Sequence, residues 1–86
     1  MKIFKQEMKE WKKSLPEKRE KIKEIERERC DENFEYQGEK KNGFYHGFGI
    51  IYGTGIHTGD IYEGDFKNGI PVGRGIHLWG NKYYEG

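Results

Sequence analysis

Along the first third of the chain, apolar residues recur at Phe4, Met8, Trp11, Leu15, Ile22 and Ile25, three, four or seven positions apart, with charge between them. That is a heptad-like helical stripe, interrupted where Lys18 stands. Pro16 lacks an amide hydrogen and costs about 3 kcal/mol inside a helix. Ser14 before it and Glu17 after it form a capping-box pattern. The pattern predicts a helix over about residues 2–13 and a helix start at Ser14, joined by a kink or a short break. So narrow a stripe needs something to lie on.

The grammar changes near Asp31–Phe34. All 13 glycines lie from Gly38 onward, and all 6 tyrosines from Tyr36 onward. Residues 1–32 therefore read as a charged amphipathic helical segment and residues 33–86 as an array of β-hairpins, an α+β chain. The second segment repeats itself at one constant offset. Tyr36-Gln37-Gly38 returns as Tyr62-Glu63-Gly64, Asn42-Gly43 as Asn68-Gly69, and Gly47-Phe48-Gly49 as Gly73-Arg74-Gly75. Tyr84-Glu85-Gly86 opens a third copy. Units of this size are single supersecondary elements that bury their faces against neighbours.

Asn-Gly is the strongest short hairpin signal, because a type I′ turn needs positive φ at both central residues. With two-residue loops, Tyr36 faces Gly49 and Gly38 faces Gly47; in the second copy Tyr62 faces Gly75 and Gly64 faces Gly73. A glycine leaves the space above it empty, so a ring can lie across it. The opposite face then carries Phe44, Phe48, Ile50 and Tyr52 in the first copy and Ile70, Val72, Ile76 and Leu78 in the second. A single-layer sheet apolar on both faces needs a cover on each, one of them the helix and the other a partner.

Composition narrows the function. Of 86 residues, 36% are charged and 33% hydrophobic, so a large autonomous core is not available. A net charge of +1 gives no bias toward nucleic acid. Cys30 stands alone and cannot form an internal disulfide, which fits a reducing, intracellular setting. No apolar run is long enough to cross a bilayer, and the basic N-terminus has no apolar signal-peptide core. His46, His57 and His77 match no metal-ligand spacing. There is no phosphate loop and no nucleophile elbow, so neither catalysis nor a cofactor is expected.

Tyr-Glu-Gly-Asp-Phe-Lys-Asn-Gly at 62–69, followed by Gly73-Arg74-Gly75, resembles the MORN repeat, the membrane occupation and recognition nexus motif. Tyr36 to Gly43 with His46-Gly47-Phe48-Gly49 is similar to a second copy. The resemblance covers about residues 34–86 and implies stacked hairpins in an elongated single-layer sheet. It also implies a scaffold, as in membrane tethers, ciliary radial spokes and cytoskeletal organisers. Three departures stand out. Lys40 occupies a position where the family has an aromatic, as at Phe66. The loop Gly53–Asp60 is longer than usual and reads as a flexible excursion toward a partner. The face opposite the tyrosines, polar in the family, is apolar here.

These readings make the chain a non-catalytic assembly subunit that contacts protein partners. The contacts are expected through a coiled-coil-like stripe of Phe4, Met8, Trp11 and Leu15 and through the apolar sheet face. Tyr36, Phe44, Phe48, Tyr52, Tyr62, Phe66, Trp79 and Trp11 are the candidate partner-binding residues. Gly38, Gly43, Gly47, Gly49, Gly64, Gly69, Gly73 and Gly75 are the structural glycines. By family analogy the setting is the cytoplasm or cytoskeleton, with a cilium or axoneme favoured and an organellar complex as the other case. Two alternatives stay open. One is a membrane tether whose basic helix contacts anionic phospholipid, although interleaved glutamates oppose that. The other is a regulatory piece of a MORN-containing enzyme, against which Met1 and the distinct helix suggest a natural start. Two and a fraction repeats, ending on an unpaired strand start at Tyr84, predict an obligate partner.

Overall fold

A computed structural model describes residues 5–86, so Phe4 lies outside the described residues. The chain forms α1 (Lys5–Lys13), α2 (Leu15–Ile22), β1 (Glu28–Arg29), β2 (Phe34–Lys41), β3 (Phe44–Gly53), β4 (Ile61–Lys67), β5 (Ile70–Trp79) and β6 (Lys82–Glu85). The strands make one antiparallel sheet in sequence order. The architecture is α+β, with consecutive hairpins and a helical layer.

The helical break falls at Ser14, but not as a capping box. The Ser14 hydroxyl donates backward to the Trp11 carbonyl at 2.6 Å and closes α1, and no side chain caps α2. Pro16 sits in the first turn of α2, where no intrahelical N–H bond is lost. The helices also end earlier than the charge pattern implied. The Gln37 side-chain amide donates to the carbonyls of Lys23 and Ile25, which are left open past the helix end. The chain then extends, and Glu28–Arg29 pairs along β2 as a short charged edge.

Both Asn-Gly pairs make the expected turns. Asn42 and Gly43 have φ of 53° and 82°, and Asn68 and Gly69 have 51° and 83°. Next to the turns the expected pairs form, Lys41 opposite Phe44 and Lys67 opposite Ile70. Farther out the register differs from expectation by two residues. Tyr36 lies opposite Ile51 and Gly38 opposite Gly49; Tyr62 lies opposite His77 and Gly64 opposite Gly75. The cause is a bulge in each hairpin, where Gly47 and Gly73 turn to φ of 74° and 65°. These two glycines make the bulge and are not the cross-strand partners of Gly38 and Gly64. The shift is even, so the faces are preserved.

Gly38, Gly49, Gly64 and Gly75 consequently align in one row across four strands. Gly86 joins the row through its N–H, which donates to the Gly75 carbonyl at 3.0 Å. The tyrosines lie across this row: a Cβ on Gly49 would overlap the Tyr36 ring, and one on Gly75 the Tyr62 ring. Tyr84 is not an unpaired strand start, because β6 pairs with β5 through the turn at Gly80-Asn81.

The helices cover the face opposite the tyrosines. Met8, Trp11, Leu15 and Ile22 join Phe48, Ile50 and Ile76 in one core, with Tyr52 and Ile61 packed against it. Each such apolar side chain contributes roughly 1.5–3 kcal/mol. From Met8 to Ile22 the helical stripe is therefore spent on the chain's own sheet, while Ile25 is left exposed.

Replacing Gly49 or Gly75 by alanine should lower stability in urea unfolding by about 1–3 kcal/mol through overpacking against the tyrosine ring. Gly43→Ala meets no atom within 4 Å and loses only its left-handed backbone preference, about 1 kcal/mol. Equal effects at Gly43 and Gly49 would contradict the ring-over-glycine packing.

Candidate functional site

Each Tyr-x-Gly tripeptide lays its three residues into three adjacent cross-strand rows. The tyrosine row runs Tyr36, Ile51, Tyr62, His77, Tyr84 on the uncovered face. The middle row runs Gln37, Ile50, Glu63, Ile76, Glu85 beneath the helices. Every middle residue of the tripeptide grips the helical layer. Gln37 holds the chain after α2, Glu63 pairs with Arg19 of α2, and Glu85 accepts from Lys12 of α1 at 2.6 Å. Arg19 engages Glu63 with two guanidinium nitrogens, one of them at 3.0 Å, and Glu63 is 8% exposed. The bond to Glu63 raises the Arg19 pKa against the opposing effect of burial.

The uncovered face is a continuous stack of rings. Tyr36 is buried, its hydroxyl donating to the Glu39 carbonyl at 2.7 Å. Tyr45 stacks flat on Tyr36 with centroids 3.7 Å apart, and Phe66 meets both rings edge-on. The series continues through Tyr62, His77 and Trp79 to Tyr84. Tyr45 resolves the departure at Lys40. Lys40 lies opposite Tyr45, and Phe66 lies opposite Pro71. The first hairpin takes its aromatic from the returning strand, while Lys40 pairs with Glu28 at 3.0 Å.

A groove of about 750 Å³ opens on this face, bounded by Phe34, Tyr45, Ile51, Tyr62, His77 and Trp79 among others. Its far end is the loop Gly53–Asp60, which is an ordered turn and not an open excursion. The Gly53 N–H donates to Asp60 O at 2.7 Å, the Thr54 N–H to Asn33 O at 2.7 Å, and Gly55–His57 forms a 3-10 turn. His57 stacks on Phe34 and faces Asp60 at 3.3 Å; Ile56 projects, 86% exposed. Cys30 Sγ lies 3.0 Å from the Tyr45 hydroxyl. Burial, then the Cys30 hydrogen bond, pushes the Tyr45 pKa up, and burial does the same for Tyr62. These tyrosines stay neutral, hydrogen-bonding walls.

Of the eight candidate partner-binding residues, Trp11, Tyr36, Phe48 and Phe66 are buried within the chain. They hold the fold and are not presented outward. Tyr52 lies on the helical side, with Arg27 over its ring at 3.5 Å and its hydroxyl donating to Gln37. Tyr62 is half-buried and lines the groove. Phe44 and Trp79 are exposed, Trp79 in the groove and Phe44 at a hairpin tip. Met8, Trp11 and Leu15 lie under their own sheet, so that stripe is closed to a partner. The groove residues Tyr45, Ile51 and His77 were not among the candidates. The signal for Tyr45 was Lys40, whose missing ring has to be supplied from across the strand. Among the described residues, no three His, Cys, Asp or Glu converge to hold a metal, and no helix is long and apolar enough to cross a membrane.

The family model of the MORN repeat matches residues 36–55 and 62–82. Neither the curated proteins nor the solved structures give a match.

The Lys12–Glu85 contact ties α1 to β6 and sets a pH dependence. The Glu85 pKa lies below its ordinary 4.5, chiefly because Lys12 donates to it, and the Lys12 pKa lies above its ordinary 10.5 for the same reason. A lowered acid stabilises the fold above its ordinary value and loses that as pH falls through the lowered one; a raised base does so below its own and loses it as pH rises. The contact is whole between those limits. Amide protection factors for Tyr83–Glu85 should fall as pH drops below about 4. Lys12→Met should show the loosened strand already at neutral pH. An acid-insensitive β6 would refute the tie.

Proposed function

The chain carries two MORN repeats, and we propose that it is a non-catalytic interaction subunit whose aromatic groove docks a segment of a partner protein. MORN repeats generally mediate protein or membrane contacts and are generally not catalytic. The observation that carries the reading is the asymmetry of the sheet. α1 and α2 pack on one face and bury Ile50 and Ile76 there, though Leu78 stays 40% exposed, while the other face keeps a ring-lined groove of about 750 Å³ open. Flat, stiff aromatic side chains give large contact area at low entropic cost, which suits them to recognition. We place the subunit in a larger intracellular assembly, with the cytoskeletal or ciliary setting resting on the resemblance. Ile51→Glu puts a charge on the groove floor, and Trp79→Ala removes a wall. Both should drop the chain from its native complex by tenfold or more in affinity purification, on the order of the 1.4 kcal/mol or more a central anchor supplies. Their unfolding transitions should stay near wild type. Co-purification at wild-type level would overturn the reading.

A second reading, contact with anionic phospholipid, is favoured by a different surface from the basic helix. Phe44 and Ile70 at the two adjacent hairpin tips are 56% and 62% exposed, beside Lys41 and Lys67. The tips are tied together by the Gly69 N–H, which donates to Tyr45 O at 2.9 Å. Flotation with phosphatidylserine vesicles tests it. Binding lost in Phe44→Ser/Ile70→Ser but kept when helix lysines are neutralised supports the tips; the reverse pattern rules them out.

A further inference from the structure

We infer that the segment seated in the aromatic groove is the Gly53–Asp60 turn of a second copy of this chain, an inference that rests on the groove being the docking face. Self-complementarity supports it. In an isologous contact each copy offers the other the same surface, so a projection and its receptor must share one face. Here they do. Gly53 lies opposite Phe34, and a Cβ on Gly53 would overlap the His57 carbonyl. The turn is therefore folded over the ring face, where His57 stacks on Phe34. Backbone bonds to Asn33 and between Gly53 and Asp60 hold it there. Ile56, the middle residue of its 3-10 turn, is 86% exposed, more than any other large apolar side chain among the described residues.

The register sets how two copies meet. The turn stands beyond one end of the row Ile51, Tyr62, His77, and Tyr45 and Pro71 line the groove beyond the other end. A two-fold axis across the strands at that row lays each turn over the Tyr45–Pro71 end of the other copy. The two sheets then stack face to face as a sandwich. The same axis sets Asp60 at the level of the other copy's Gly64, since the two lie equally far from Tyr62 on either side. Asp60 is the one carboxylate lining the groove, and no lysine or arginine lines it. No like charges are brought together. Area agrees with this. Strands β2 to β6 have four to ten residues each. At about 3.3 Å per residue and about 4.8 Å between strands, they present a face on the order of 600 Å². Two such faces bury on the order of 1,200 Å², where stable specific interfaces begin.

The test is sedimentation equilibrium of the whole chain from micromolar to near-millimolar concentration. The mass should rise from 10.2 kDa toward twice that value. Ile56→Glu alters a side chain that meets solvent in the single chain, so the urea transition in dilute solution should stay near wild type. Association should weaken by tenfold or more, about 1.4 kcal/mol or more. Leu78→Ser changes an exposed apolar residue on the helix-bearing face and should leave association unchanged. A mixture of isotope-labelled and unlabelled chain gives a readout that needs no variant: filtered NOE spectra should place the Ile56 methyls of one copy against the Tyr45 ring of the other. A mass that stays at 10.2 kDa overturns the inference. So does association that survives Ile56→Glu, association lost through Leu78→Ser instead, or filtered spectra without the Ile56 contact. Failure of the groove itself is read separately, from the native-complex assay. Ile51→Glu released from the complex by a chain that stays monomeric leaves the groove as the docking face for another protein, and Ile51→Glu retained removes the groove.

Discussion

A tyrosine ring can lie flat on a β-sheet only where no Cβ stands beneath it. Tyr36 over Gly49 and Tyr62 over Gly75 meet that condition, and the rest of the architecture follows from it. The row Gly38, Gly49, Gly64, Gly75 locks the register of four strands, because a slip of one residue would put side chains under the rings. The bulges at Gly47 and Gly73 absorb the mismatch between a two-residue turn and that row. Turn geometry and ring packing demand registers two residues apart, and the two positive-φ glycines let both be satisfied.

The tripeptide that supplies the ring and its glycine also supplies the fastening for the other layer. Alternation along a strand turns its middle residue to the opposite face, so Gln37, Glu63 and Glu85 point toward the helices as surely as the tyrosines point away. Polar side chains at these positions reach the end of α2, Arg19 and Lys12 in turn. Between them Ile50 and Ile76 supply the apolar contact. The result is a sheet with one face packed against its own helices and the other left without them.

Much of this was legible in the residues. The Asn-Gly turns, the repeated tripeptide, the break near Pro16 and the division of the sheet into two faces are local matters, decided by φ preferences and by side-chain alternation. The register beyond the bulges was not legible, because the same Gly-x-Gly spacing admits either glycine as the cross-strand partner. Nor was the place of Tyr45, whose role comes from standing opposite Lys40 in the folded hairpin. The ordered turn at Gly53–Asp60 depends on Asn33, distant in sequence, accepting the Thr54 N–H.

The sequence alone determined that this chain is a charged helical segment joined to a hairpin repeat, since periodicity, proline and glycine act within a few residues. Only the tertiary structure decided which apolar surface stays open. Trp11 and Phe48 read as anchors for a partner and became each other's neighbours in the core, with ring centroids 6.3 Å apart. Hydrophobic burial has no direction and no sequence range: an apolar stripe is satisfied by whatever cover reaches it first, and here the nearest cover was tethered to the same chain.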